Sequence, residues 1–427
     1  MRSKATRLYI TWILSLLLFV GYIPLIGQTK SLYRTDDQLT KRQTSANAFS
    51  KLHDSIYQKS QIQAKIRGLH LSDDLGAGRK ITFQQFNEVG EAMYVTHHSN
   101  RFAGQMTRTD QLYRGGSLGV ALSGGSDTLS GWLGLWDGGT PLLTHQEFNG
   151  RISSQESGLS SDLHSTHVAG TLIASGINTT ARGMAFGANL KAWDYNNDNS
   201  EISAASLKLL ISNHSYGYQA GWVYDSTKSK WQWWGNDAIN VFEDYKFGFY
   251  DSNAQALDRI AYNAPMYLIT KSAGNSRNEN GPAAGTYYFL RNTRDSSAIS
   301  RAKNDGYDII STTGNAKNIL TVGAAELINQ IPTYGSEVQL SEFSSWGPTD
   351  DGRIKPDVVG IGTNILSTSN TGNAAYTSLS GTSMASPQVA GSLFLIQQLY
   401  NRLNKGAFMR AATLKGLAIH TATDMGI

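Results

Sequence analysis

The chain has 427 residues, 40% of them apolar, no cysteine, and 37 basic against 33 acidic side chains. This suffices for one large catalytic domain with added segments and does not suit a membrane bundle; without cysteine, disulfides and thiolate metal sites are excluded, while export to an oxidising compartment stays open. Four of the bases (Arg2, Lys4, Arg7 and Lys30) lie in the first thirty positions, where no acid occurs, so the remainder balances at 33 against 33 and nothing points to a nucleic-acid partner.

Residues 1–27 combine a basic start, an apolar run over 8–26 and then Gly27-Gln28, the build of a secretory signal peptide. An uncleaved anchor is the alternative, since the run is nearly long enough to cross a hydrocarbon core of about 30 Å. Pro24 and Gly27 near its end favour cleavage. The expectation is therefore a secreted protein (extracellular, periplasmic or cell surface) with no membrane attachment once the signal is removed. Residues 28–114 form a polar N-terminal extension with one amphipathic stretch, 46–66, whose inner face is Phe49, Leu52, Ile56 and Tyr57. The pair His97-His98 reads as a surface feature.

From residue 115 onward strands and helices alternate, which predicts an α/β domain: a mostly parallel sheet with helices on both faces, three layers in all. Strands are expected over 132–136, 190–194, 209–215, 266–271 and 319–322, and helices over 166–174, 202–208, 253–262 and 386–402. Active sites in such sheets gather at the carboxyl ends of strands. Asp137, Ser215 and Asn275 each stand at such an end.

Three stretches carry chemistry. The first strand runs into Asp137 and breaks at Gly138-Gly139; Asp162-Leu163-His164-Ser165-Thr166-His167 leads from a loop into a helix of small residues; and Gly381-Thr382-Ser383-Met384-Ala385-Ser386-Pro387 hands a turn over to an apolar-periodic helix. Ser383 thus sits where free N–H groups and the helix dipole stabilise developing negative charge. Pro387 is expected in a first turn, where no N–H donor is needed. A serine hydroxyl needs a base, and a histidine base needs an orienting carboxylate. His164 and Asp137 supply them.

At these stretches the chain resembles the subtilisin-like serine proteases, which share the order Asp, His, Ser. The resemblance extends to Ser212-Asn213-His214-Ser215-Tyr216-Gly217, to Ser272-Ala273-Gly274-Asn275, and to Phe343-Ser344-Ser345-Trp346-Gly347-Pro348 with Asp351-Gly352-Arg353-Ile354-Lys355-Pro356-Asp357. It implies a serine endopeptidase that forms an acyl-enzyme. Asp137, His164 and Ser383 would be the triad, Asn275 the oxyanion donor, and Ser215, Tyr216 and Gly217 with Ser272, Ala273 and Gly274 the substrate-binding segments. The partner is a protein or peptide substrate, the enzyme a monomer, and no cofactor is needed for the chemistry. It further implies that residues 28–114 are a prosegment, although the family's usual inhibitor pattern is not visible there; a plain extension packed on the enzyme is the alternative.

Departures from the family are few. Ser165 stands where glycine is usual, and Gly360-Ile361-Gly362 replaces Ala-Pro-Gly, which would loosen a turn. An aromatic insertion over 218–249, with Trp222, Trp231, Trp233 and Trp234, either walls the cleft or forms a satellite core; a second, polar insertion spans 276–318. Asp194, Asn196 and Asp198 alternate as in calcium loops but lack the glycine of an EF-hand, so a solvated turn competes with structural calcium. His167 is expected to pack inside, and His145 and Glu147 to form a surface turn. Taken singly, a Ser at a helix start is usually a cap and an Asp after a strand a turn residue. Two other functions stay open: a zinc-dependent hydrolase with Asp162, His164 and His167 as ligands, and an inactive relative that only binds peptides. After 411–419, which resembles the family's penultimate helix, the chain stops at Asp424-Met425-Gly426-Ile427, where relatives usually continue, so the catalytic domain is expected to be incomplete at that end.

Overall fold

The computed structural model describes residue 48 and residues 59–425, apart from 77–78, 88, 98–103, 105–106, 292, 294 and 327–333. The basic and apolar opening over 1–27, and the inner face Phe49, Leu52, Ile56 and Tyr57, lie outside the described residues. Among the described residues no helix is long and apolar enough to cross a membrane.

The central sheet has seven strands in the spatial order Val358–Ile361, Leu320–Ala325, Leu268–Ser272, Ile211–His214, Leu133–Asp137, Leu190–Asp194 and Ile152–Ser154. All neighbours are parallel. Leu133–Asp137, Leu268–Ser272 and Leu320–Ala325 are buried at every position, as strands covered on both faces must be. Alternate residues feed two cores. Leu133, Leu135, Leu268 and Leu320 pack with Val168, Leu172, Phe394 and Leu395 from helices Leu163–Ile173 and Thr382–Leu403. Trp136, Ile269 and Ile319 pack on the other face with Ile202, Leu257 and Ile260 from helices Asp198–Ala205 and Ser252–Asn263. The result is the expected three-layer domain.

Chain order makes Leu133–Asp137 the switch point, because the two strands that follow it, Ile152–Ser154 and Leu190–Asp194, lie on one side of it and the chain then crosses to its other side at Ile211–His214. Crevices open at the carboxyl ends of strands at such points. Asp137 stands there.

The two insertions, separate in sequence, fold together. A hairpin Trp222–Asp225/Lys230–Trp233 is extended by Tyr288–Leu290 and Ser296–Ser297, and Trp222, Trp233 and Tyr288 form a small core of their own. An aromatic hairpin buries little by itself, so it recruits strands from the second insertion. The opposite side of this unit meets the N-terminal extension: Phe83, Ala92 and Tyr94 pack with Val223 and Trp234.

Several expectations are corrected. His145 and Glu147 are not a surface turn: both are buried, and the Glu147 carboxylate accepts the N–H groups of Gly176, Ile177 and Asn178 and so fastens the loop that follows helix Leu163–Ile173. Gly360 and Gly362 do not loosen a turn. A Cβ on Gly360 would lie 2.9 Å from the Ala385 carbonyl oxygen, so Gly360 admits the helix that carries Ser383, and one on Gly362 would lie 2.3 Å from the Ala324 Cβ, so Gly362 admits the neighbouring strand Leu320–Ala325.

Candidate active site

Asp137, the last residue of strand Leu133–Asp137, is fully buried, and its Oδ1 lies 2.5 Å from His164 Nδ1 while accepting the Gly138 N–H at 2.8 Å. Burial raises this carboxyl above its ordinary range, and the opposing pull of His164 offsets only part of that rise. His164 opens helix Leu163–Ile173, whose N-cap Asp162 accepts the N–H groups of His164 at 2.7 Å and Ser165 at 3.3 Å. Serine at 165 is thus absorbed by the cap. His167 packs inside, its Nε2 3.2 Å from the Ile365 carbonyl. The three residues of the zinc reading therefore face three different partners, and among the described residues no group of three His, Cys, Asp or Glu side chains is placed to hold a metal ion. Of the calcium candidates, Asp194 accepts the N–H groups of Gly139 and Asn196, Asn196 donates its side-chain amide to Asp194, and Asp198 accepts the Asn199 N–H and the Tyr216 hydroxyl.

Ser383 is the second residue of helix Thr382–Leu403, which begins four residues before the expected start at 386. Pro387 therefore lies inside the helix rather than in its first turn. Its missing N–H leaves the Ser383 carbonyl without the usual i+4 donor. The Ser215 hydroxyl takes that place at 2.6 Å, and the Ser383 hydroxyl in turn donates to the Ser215 carbonyl at 3.0 Å. Asn213 donates to Ser215 Oγ at 2.9 Å and accepts from Ser386 Oγ at 2.7 Å, which clamps the helix start to the end of strand Ile211–His214.

Asn275 faces the same helix start, its side-chain oxygen accepting the Thr382 N–H at 2.7 Å. The preceding Gly274 has φ 110°, a conformation that favours glycine, and its N–H donates to Thr382 Oγ1 at 3.1 Å. Ser215, Tyr216, Gly217, Ser272, Ala273, Gly274, Asn275 and Ser383 line one cleft. Tyr218, Ala220, Val223 and Phe247 extend its wall, so the aromatic insertion both walls the cleft and, through Trp222 and Trp233, forms a satellite core.

Strand Ala92–His97 of the extension runs antiparallel to Tyr216–Tyr218, with His97 opposite Tyr216, Thr96 opposite Gly217 and Val95 opposite Tyr218. The backbone of His97 thus pairs with the strand that borders the cleft, and His98 lies outside the described residues.

Two features escaped the sequence reading. Lys271 is buried beneath the cleft; its ammonium donates to the Tyr216 carbonyl at 2.5 Å and lies 4.2 Å from the centre of the Tyr216 ring. Burial lowers its pKa to about 8, with Asp198 and Asp137 opposing. A lysine ending an otherwise apolar strand was the available signal. The second is Glu201, which accepts the Trp136 indole N–H at 3.1 Å beside the stack of Trp136 on Trp193 and His214. Burial first, then the charge of Glu156, with smaller contributions from Asp198 and Asp194, raises its pKa to about 8.

An acid whose folded pKa lies above its unfolded value of about 4.3 binds more protons in the folded state, so its contribution is greatest at low pH and is lost as pH rises toward 8. Asp194, raised to about 6 mainly by burial, acts the same way over the lower part of that window. Urea unfolding at pH 5 and pH 8 should show less stability at pH 8, and Glu201→Gln should reduce the difference. An equal difference in both proteins would mean that Glu201 does not titrate in this range.

The sequence profile of the subtilase family matches residues 144–427. A stretch of 84 residues is 44% identical to the PII-type proteinase of Lactococcus lactis subsp. cremoris, and 86 residues are 46% identical to the C5a peptidase of Streptococcus pyogenes serotype M3. Each match covers 20% of this chain, but only 4% and 7% of those far longer relatives. Among solved structures, a cold adapted subtilisin-like serine proteinase is 20% identical over 71% of this chain and 84% of its own, with a TM-score of 0.43. The prenylagaramide maturation protease PagA is 17% identical over 70% and 85%, with a TM-score of 0.47.

Proposed function

The chain belongs to the subtilase family of serine-type endopeptidases, and from that premise we propose that it cleaves peptide bonds through an acyl-enzyme on Ser383. The observation that carries this reading is the buried pair of His164 and Asp137, 2.5 Å apart at the carboxyl end of the switch-point strand Leu133–Asp137. Asp137 fixes the His164 tautomer and stabilises the imidazolium; His164 takes the Ser383 proton and returns it to the leaving amine. For this the Ser383 hydroxyl turns from the Ser215 carbonyl toward His164 Nε2. The N–H groups of the first helical turn and the Asn275 amide supply the oxyanion donors. An extended substrate adds as a strand to Ser215–Gly217.

The extension strand already occupies the edge of Tyr216–Tyr218, which supports reading it as a prosegment that blocks the cleft until removed. Secretion follows from the pattern of residues 1–27. The test is labelling: a serine-directed phosphonate should add to the purified enzyme at Ser383 and abolish casein hydrolysis, while a chelator leaves turnover intact. The reverse result selects a metal hydrolase, and labelling without hydrolysis of any peptide selects a binding relative.

Lys271 acts through Tyr216 and is a positioning residue. Lys271→Met leaves the Tyr216 carbonyl buried without its donor and loosens the strand that receives substrate. KM for peptides long enough to pair with Ser215–Gly217 should rise several-fold with kcat little changed. A fall in kcat at constant KM would place Lys271 in the chemistry instead.

A further inference from the structure

Beyond the cleft, the extension delivers one charge into the body of the protein. Glu91 precedes strand Ala92–His97 and is 2% exposed. Its Oε1 lies 3.2 Å from Lys246 Nζ and 3.2 Å from Arg291 Nε, and its Oε2 accepts the Tyr245 hydroxyl at 2.8 Å. Lys246 also donates to the Trp234 carbonyl at 2.6 Å and pairs with Asp244 at 3.1 Å. Asp244 is itself fixed by the Gly221 N–H at 2.7 Å. All the partners that hold the Glu91 side chain belong to the two insertions. With Glu91 present, two acids face two bases; with Glu91 gone, Lys246 keeps Asp244, Arg291 loses the acid it pairs with, and a hydroxyl donor points at the vacated position.

A buried cluster left one negative charge short is costly, and a carboxylate restores its balance. The route to it is set by backbone pairing. Residues 95–97 pair with Tyr216–Tyr218, and the Gln219 N–H donates to the Tyr94 carbonyl at 2.6 Å, so the strand continues its path past the cleft. The Tyr94 ring meets Trp234 edge-on at 4.8 Å. A polypeptide that adds to Tyr216–Tyr218 in the same register and stays extended along the line of residues 91–94 reaches the same cluster, roughly 20 Å upstream for six extended residues.

We propose that Lys246, Arg291 and Tyr245 form a carboxylate-binding subsite that, once the extension has left, receives a Glu or Asp of a protein substrate six residues before the residue facing Tyr216. This rests on the reading of the chain as a protease with a removable prosegment. The subsite selects acidic sequence at a distance from the cut, independently of the side chain the cleft itself prefers. It also gives the insertions a purpose beyond walling the cleft.

The test uses the processed enzyme and two fluorescent peptides with the sequence of residues 87–98, one carrying Gln in place of Glu91. Anisotropy should show the Glu peptide binding roughly tenfold or more tightly, the value of charge-assisted hydrogen bonds. In the double variant Tyr245→Phe/Arg291→Gln the two peptides should bind alike. Equal affinities for wild type, or a preference that persists in the double variant, would overturn the proposal. So would mass spectrometry showing residue 91 still bound to the active protein, since the cluster would then be a permanent internal ion pair. Hydrolysis of a short chromogenic peptide by the same preparation reports separately on the protease reading, so failure of the subsite and failure of the peptidase are told apart.

Discussion

Ser383→Ala should abolish peptide hydrolysis while the protein stays folded. The expected loss in turnover is on the order of a millionfold, the cost of the equivalent change in subtilisin rather than a figure obtained from this geometry. The fold should tolerate it, because alanine at a helix start removes only the hydrogen bond to the Ser215 carbonyl, about 1 kcal/mol. The Ser215 hydroxyl still holds the residue 383 carbonyl, since that contact uses the backbone freed by Pro387. Circular dichroism and urea midpoints should therefore be near wild type. A variant with a tenth of wild-type turnover would end the assignment of Ser383. The same variant should accumulate with its extension attached if the enzyme trims itself; normal trimming would point to another protease.

The central sheet was legible because its strands are apolar runs bounded by turn residues, and 190–194 was placed to the residue. Boundaries moved where tertiary contacts decided them. Helix Thr382–Leu403 starts early because Asn275 and Ser215 hold its first turn, and no periodicity over 386–402 could show that. The edge strands Ile152–Ser154 and Val358–Ile361 escaped notice because three or four residues carry no period. In the candidate site, Asp137, His164 and Ser383 could be picked out from local motifs. The groups beneath them could not: Lys271 reaches the Tyr216 carbonyl across the sheet, and Glu91 meets Lys246 across 155 positions. Single polar residues in such runs look like surface until a partner is in view, and for Glu91 that partner lies in an insertion that no motif describes.

Asn275→Ala should lower kcat by roughly 100- to 1,000-fold with KM almost unchanged, the range found for the matching asparagine of subtilisin. The separation of kcat from KM follows from when the donor acts. A ground-state carbonyl gains little from the amide, and the negative oxygen of the tetrahedral intermediate gains much. The geometry adds a second consideration, since the Asn275 side-chain oxygen accepts the Thr382 N–H and so braces the turn that presents Ser383. Alanine removes both the brace and the donor. Asn275→Asp separates them: the carboxylate keeps an acceptor for Thr382 but has no N–H to offer, and its charge opposes the oxyanion. If Asn275 is an oxyanion donor, the Asp variant should be at least as slow as the Ala variant. If Asp restores turnover, Asn275 acts only by holding the helix start, and the oxyanion is bound by backbone N–H groups alone. A rise in KM at constant kcat would make Asn275 part of the substrate-binding loop and nothing more.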